Sequence, residues 1–170
     1  MVDYAAGADV GRSASHSLYN DVRTVASARC VVAQGAQVMT LDGALPVEFL
    51  TPGDRVVTRG GARRLVSVEV AMLAGEMVQI QPGALGHERP EQALLLAPET
   101  RVFLRDWRAE ALYGAKTALV PVHRLVDGEY VTRVSVAQAR LFVLGFEREE
   151  VIYVDGVQLA TDPARIGAKV

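Results

Sequence analysis

From Cys30 to about Ala160 apolar and polar side chains alternate over short runs, and glycine, proline or aspartate closes each run. A two-residue period belongs to half-buried strands, whereas a helix would repeat near 3.6. The pattern predicts strands at Val31–Ala33, Gln37–Leu41 and around Val56-Val57, then at Leu65–Val70 and Met77–Gln81. Further runs at Ala118–Val122, Tyr130–Val136, Leu141–Phe146, Val151–Val154 and Val157–Leu159 complete the set. The punctuation is turn chemistry: Leu41-Asp-Gly-Ala reads as an Asp-Gly hairpin, and Pro52-Gly-Asp, Gly60-Gly61, Pro82-Gly83 and Asp155-Gly156 as further turns. Arg108–Leu112 fits either a helical turn or a bulged strand, and Val122–Gly128 a short turn of helix. In the middle lies Gln92–Leu104, an apolar run that bends at Ala97-Pro-Glu-Thr100 and leaves through Val102–Leu104. Many short strands without helical runs between them indicate a single compact all-β domain.

The two ends differ from this. Residues 1–28 are rich in Ala, Ser, Gly and Asp, which predicts a partly ordered arm, with Leu18, Val22 and Val25 on one side of a short helix. Asp162–Val170 reads as a tail, so the domain is expected to span residues 29–161. With 50% hydrophobic and 22% charged residues in a chain of 170, there is enough apolar surface for one proper core.

Charge and chemistry narrow the function. A net charge of −2, with scattered arginines and only Arg63-Arg64 adjacent, argues against a nucleic-acid surface or a membrane surface. Cys30 is the sole cysteine, so neither an internal disulfide nor a Cys-based metal cluster is available. His16, His87 and His123 share no ligand spacing, and no metal or cofactor is expected. Met1–Gly11 lacks a basic segment followed by an apolar one, and no run is long enough for a membrane span, which together predict a cytoplasmic protein.

Five blocks, in order, resemble the bacterial Hint domains, the fold shared by inteins and the hedgehog autoprocessing domain. They are Thr40-Leu-Asp-Gly-Ala-Leu-Pro-Val-Glu-Phe-Leu-Thr-Pro-Gly-Asp-Arg-Val-Val-Thr58, the loop Gly83–Pro90, the central bend Gln92–Leu104, Leu119-Val-Pro-Val-His-Arg-Leu-Val-Asp-Gly128, and Glu150-Val-Ile-Tyr-Val-Asp-Gly156. The resemblance implies a Hint-like β-fold and self-cleavage chemistry. A Cys thiolate attacks the carbonyl before it, a His protonates the departing amide nitrogen, and a Ser or Thr hydroxyl steadies the peptide. Here Thr100 stands at the His position and Ala97 at the Ser/Thr position. The Cys position, four residues before a Gly-Thr pair that is Gly35-Ala36 here, falls on Val31, which leaves Cys30 one residue early. A one-residue slip in a strand turns the side chain to the other face. Glu149 stands where relatives carry a second His, and the only Asn, Asn20, lies upstream, so intein-type splicing is chemically excluded.

Three functions follow as expectations. The first is a Hint domain without autoprocessing, acting as a protein- or peptide-binding or assembly module. Its cleft would comprise Val31, Ala97, Thr100 and Glu149, and a peptide segment or the chain's own N-terminal arm would be the partner. The alternative is a hedgehog-like N–S acyl shift at Arg29–Cys30, with Cys30 as nucleophile. The third, suggested by the family's context alone, is a structural role in a secreted or surface assembly.

Overall fold

The structure, a computed structural model, describes residues 30–164. The expected arm at 1–28, with its Ser17–Val25 helix, and residues 165–170 of the tail lie outside those residues. Thirteen strands run in order: β1 Val32–Ala33, β2 Gln37–Thr40, β3 Gly43–Pro46, β4 Arg55–Thr58, β5 Gly61–Arg64, β6 Ser67–Ile80 and β7 Leu94–Leu96. They continue with β8 Arg101–Leu104, β9 Ala118–Pro121, β10 Val131–Phe146, β11 Val151–Val154, β12 Val157–Ala160 and β13 Asp162–Pro163. The one α-helix among the described residues, α1, is Trp107–Tyr113. No helix there is long and apolar enough to cross a membrane. The architecture is all-β, as the alternation predicts.

Local chemistry explains the hairpins. In Thr40-Leu-Asp-Gly43 and Thr58-Arg-Gly-Gly61 the strand residues pair Thr with Gly, so the two residues between them form the loop. Each threonine hydroxyl donates to the carbonyl of its glycine and accepts the N–H two residues on, from Asp42 or Gly60. Gly43 and Gly61, at φ 101° and 110°, take the positive dihedral the return requires. The first hairpin therefore turns on Leu41-Asp42, with Gly43 closing it, and not on Asp-Gly as the dipeptide suggests.

Several expectations about elements change. The runs Leu65–Val70 and Met77–Gln81 merge into the continuous β6, and Tyr130–Val136 and Leu141–Phe146 into β10. The interruptions in their patterns face each other: Gly75 opposes Val136, and a register shift between Val136 and Ala139 absorbs the extra residues as a bulge. Arg108–Leu112 is helical because Asp106 caps Arg108 N–H at 2.9 Å and Gly114, at φ 64°, ends the last turn. Val47–Phe49, an unforeseen 3₁₀ turn, directs Glu48 to accept the Gly35 N–H at 2.9 Å. Asp162-Pro163, expected in a tail, forms β13 in parallel with Gly145-Phe146. Gly145 allows this approach, since a Cβ there would stand 2.7 Å from Ala164 Cα and would also strike Ser67 Oγ.

Two sheets result. One follows the order β1-β7-β6-β10-β13 and closes on itself where β1 also pairs with β10. The other runs β3-β2-β4-β11-β12-β8-β9, with β5 beside β4. The main core gathers Val38, Leu65, Ile80, Leu96, Phe142 and Ile152 among others. A smaller cluster, including Val31, Ala33, Ala71, Met77 and Leu141, fills the other side of the β6–β10 ladder. The end of β10 serves both, with Phe142, Leu144 and Phe146 in the main core and Leu141 and Val143 in the smaller one. Each fully buried Leu, Ile or Phe stabilises the fold by about 1.5–3 kcal/mol.

Candidate functional site

The extended run Cys30–Ala33, which leads into and includes β1, alternates between these two clusters. Cys30 and Val32 enter the main core, while Val31 and Ala33 enter the smaller cluster. The strand is held at both edges, Val32 pairing with Phe142 of β10 and with Leu96 of β7. Directly after β7 comes the bend Ala97–Thr100, tightened by a hydrogen bond from Thr100 N–H to Ala97 C=O at 3.0 Å. The 3₁₀ turn Val122–Leu125 pins the bend from outside, through Val122 N–H to Thr100 C=O and His123 N–H to Pro98 C=O.

Bend and strand are joined by a short circuit of hydrogen bonds. Val31 N–H donates to Thr100 Oγ1 at 3.0 Å, and the Thr100 hydroxyl donates to Val31 C=O at 3.1 Å. Ala97 N–H also donates to Val31 C=O, at 3.1 Å. Thr100 and Val31 are both 0% exposed, so these groups have no water to fall back on. Breaking the circuit on one side would leave a buried donor unpaired, at a cost of about 1–3 kcal/mol.

Beside the circuit lies an apolar cleft of about 230 Å³. Its walls are Val31, Leu73, Met77, Ala97, Val136 and Leu141, and its rim carries Glu76 and Glu99. Both acids have partners: Glu76 meets Arg133 across the β6–β10 ladder, and Glu99 Oε1 lies 3.4 Å from His123 Nε2. The structure thus brings Val31, Ala97 and Thr100 together, with Thr100 buried beneath the wall. His123, read as a basic residue of a flanking block, sits at the rim through Glu99. His87 lies elsewhere, in the loop before β7, at φ 52°.

Two of the expected residues stand apart from the cleft. Cys30 is 2% exposed and packs into the main core, on the side of the chain opposite Val31. Burial pushes its thiol up to about 12, with the Asp162 carboxylate adding to the rise and the Arg101 guanidinium opposing it. Glu149 does not line the cleft; its Oε1 lies 3.2 Å from Arg101 Nη1, and Arg101 faces Asp162 on its other side. The cause lies where the chain enters β8: Thr100 and Arg101 are consecutive in extended backbone and so point to opposite sides. Glu149 follows Arg101, away from Thr100.

The sequence profile of the Hint domain family matches residues 30–161. The fold is shared with solved structures at very low sequence identity. A bacterial intein-like domain from Clostridium thermocellum superimposes with a TM-score of 0.55 at 10% identity, covering 78% of this chain and 97% of that one. A splice-inactive variant of the AceL NrdHF class 3 split intein gives 0.53 at 11% identity, over 79% and 98% of the two chains. The gp41-1 intein gives 0.52 at 10% identity, over 76% and 97%. No curated protein sequence matches the chain. A profile match that starts at Cys30 and ends at Thr161, on a strand arrangement common to inteins, makes this chain a member of the Hint domain family.

Proposed function

We propose that this Hint domain has lost autoprocessing and works as a binding module, taking an extended apolar peptide segment in the cleft between Val31, Ala97 and the β6–β10 ladder. The observation that carries the reading is the Thr100–Val31 circuit. The amide nitrogen at the family's scissile position meets a hydroxyl, which is far too weak an acid to protonate a leaving amide near neutral pH, where the chemistry calls for an imidazole. Val31 has no nucleophilic atom, and Ala97 supplies no side-chain hydrogen bond. Val31 is held at both its N–H and its C=O, and no nucleophile faces the carbonyl that precedes it.

The alternative acyl shift at Arg29–Cys30 draws no support from the site. Its nucleophile must be a thiolate. Burial holds Cys30 neutral, and its side chain faces the main core rather than the Ala97–Thr100 bend. Loss of general-acid assistance alone slows such a step by about 10²–10⁴-fold. The wall of the cleft is apolar, which suits an apolar segment; the chain's own residues 1–29 are one source of it.

Intact-mass spectrometry after incubation with hydroxylamine or dithiothreitol tests the loss of cleavage. The expected result is one species beginning at residue 1 or 2. A population beginning at Cys30 that vanishes in Cys30→Ala would overturn the proposal.

A further inference from the structure

A second cavity, of about 500 Å³, opens between the loop before β7, the end of β8 and the start of α1. It is separate from the cleft, and the five-block resemblance gives it no role. Its lining includes the Phe103 ring and the exposed Trp107, while Leu85, Val102 and Leu104 beneath them are buried in the main core. Its charge is lopsided. Arg89, Arg105 and Arg108 line it against one carboxylate, Asp106, which leaves about two positive charges on a chain whose net charge is −2.

These arginines are not equivalent. Arg108 is fixed as framework: its Nη1 meets Asp106 Oδ2 at 2.7 Å and its Nη2 donates to Ala84 C=O at 3.0 Å. Arg89 and Arg105 have no acidic partner among the described residues. Arg89 Nε is buried with no hydrogen-bond partner, and no described residue accepts from its guanidinium. Its stem lies across Gly156, where a Cβ would come within 3.1 Å of Arg89 Cγ, so the missing side chain at the β11–β12 turn makes room for the guanidinium. His87, with its positive φ, stands at the mouth. Arg59 covers the Phe103 ring at 4.3 Å and adds positive potential behind the wall.

We propose that this cavity is a binding site for a small phosphate monoester, whose dianionic head is taken by Arg89 and Arg105 and whose organic body lies against Phe103 and Trp107. Guanidiniums with free N–H edges suit phosphate oxygens, and a monoester carries close to two charges at neutral pH. The volume falls within the range of small-molecule sites, about 300–1,000 Å³, and exceeds what a bare phosphate fills. The inference is independent of the proposed peptide cleft.

Isothermal titration calorimetry of the full chain with phenyl phosphate, inorganic phosphate and phenol tests it. Phenyl phosphate should bind saturably and more tightly than inorganic phosphate, and phenol should not bind. Arg89→Gln and Arg105→Gln should each weaken phenyl phosphate by about tenfold or more, the loss expected when a charge-assisted contact goes. Arg105 is exposed, so its variant keeps the fold. Arg148→Gln removes a positive charge from a side chain 77% exposed and outside the cavity lining, and should leave binding unchanged. Absence of saturable binding, or equal weakening in Arg148→Gln, overturns the site. Inorganic phosphate binding as tightly as phenyl phosphate overturns the ester assignment.

Discussion

The two faces of the extended run Cys30–Ala33, which ends in β1, present a controlled comparison within one stretch of backbone. On one face Cys30 is enclosed by the main core, with its thiol held neutral. On the other, one residue later, Val31 is tied to Thr100 and borders an apolar cleft. Backbone, burial and neighbouring strands are nearly the same for both. What differs is the direction in which a side chain leaves the pleat. A thiol shifted by one position therefore loses access to the bend, even though the fold around it is complete.

Thiol reactivity is where the two faces should diverge most. With its thiol raised from 9.0 to about 12, Cys30 should hold roughly a thousandth of the thiolate of an ordinary cysteine near pH 8, and labelling by a disulfide reagent should slow at least in proportion. A Cys30→Ala, Ala97→Cys variant, with its sulfur on the cleft wall, should label at an ordinary rate without denaturant. Equal labelling of both folded proteins would erase the distinction between the faces.

A smaller effect is expected from the clamp. Thr100→Val keeps the shape of the side chain but strands the Val31 N–H, and should lower the unfolding free energy by about 1–3 kcal/mol, read by urea titration. Thr100→Ser, which retains the hydroxyl, should recover most of that loss. A Val variant as stable as the parent would show that the circuit is not holding the strand.

The smallest effect is on pH dependence. A neutral thiol is favoured in the folded chain, so the associated stability is fully present below the unfolded value of about 9. It is lost as pH rises from there towards 12, because the unfolded chain sheds the proton first. Unfolding free energy should therefore fall across that window by up to about 1.4 kcal/mol per pH unit more in the parent than in Cys30→Ala. Parallel curves would mean that Cys30 is less enclosed than its burial indicates.

The strand face of each residue is legible in the amino-acid order alone, because alternation and the spacing to Gly35 place Val31, not Cys30, opposite the bend. Thr100 and Ala97 are likewise placed by their order in the central block, and the structure adds the hydrogen bonds that spacing cannot show. Glu149 is misplaced by sequence reasoning because its position along the chain says nothing of Arg101, whose guanidinium draws it to the Cys30 side. The merged strands β6 and β10 are hidden by Gly75 and the Ala137-Gln138 bulge, which look like breaks singly and complement each other when paired. The basic cavity is invisible in the sequence for another reason. Arg89, Arg105 and Arg108 read as scattered along the chain, and only the loop before β7, the end of β8 and the start of α1 bring them to one surface. The one hint of Arg89's place against Gly156 is the turn motif Asp155-Gly156.

β1 has a kinetic consequence as well. Its partners are remote along the chain: Thr100 lies 69 residues from Val31, and Phe142 of β10 is farther still. Loop closure over such spans is slow and entropically costly, whereas the β2–β3, β4–β5 and β11–β12 hairpins zip from adjacent residues. Residues 30–33 should accordingly be among the last to dock, and until they arrive the apolar floor of Ala71, Met77 and Leu141 stands open to water, a transient liability to aggregation that a quick-binding chaperone or a low refolding concentration would relieve.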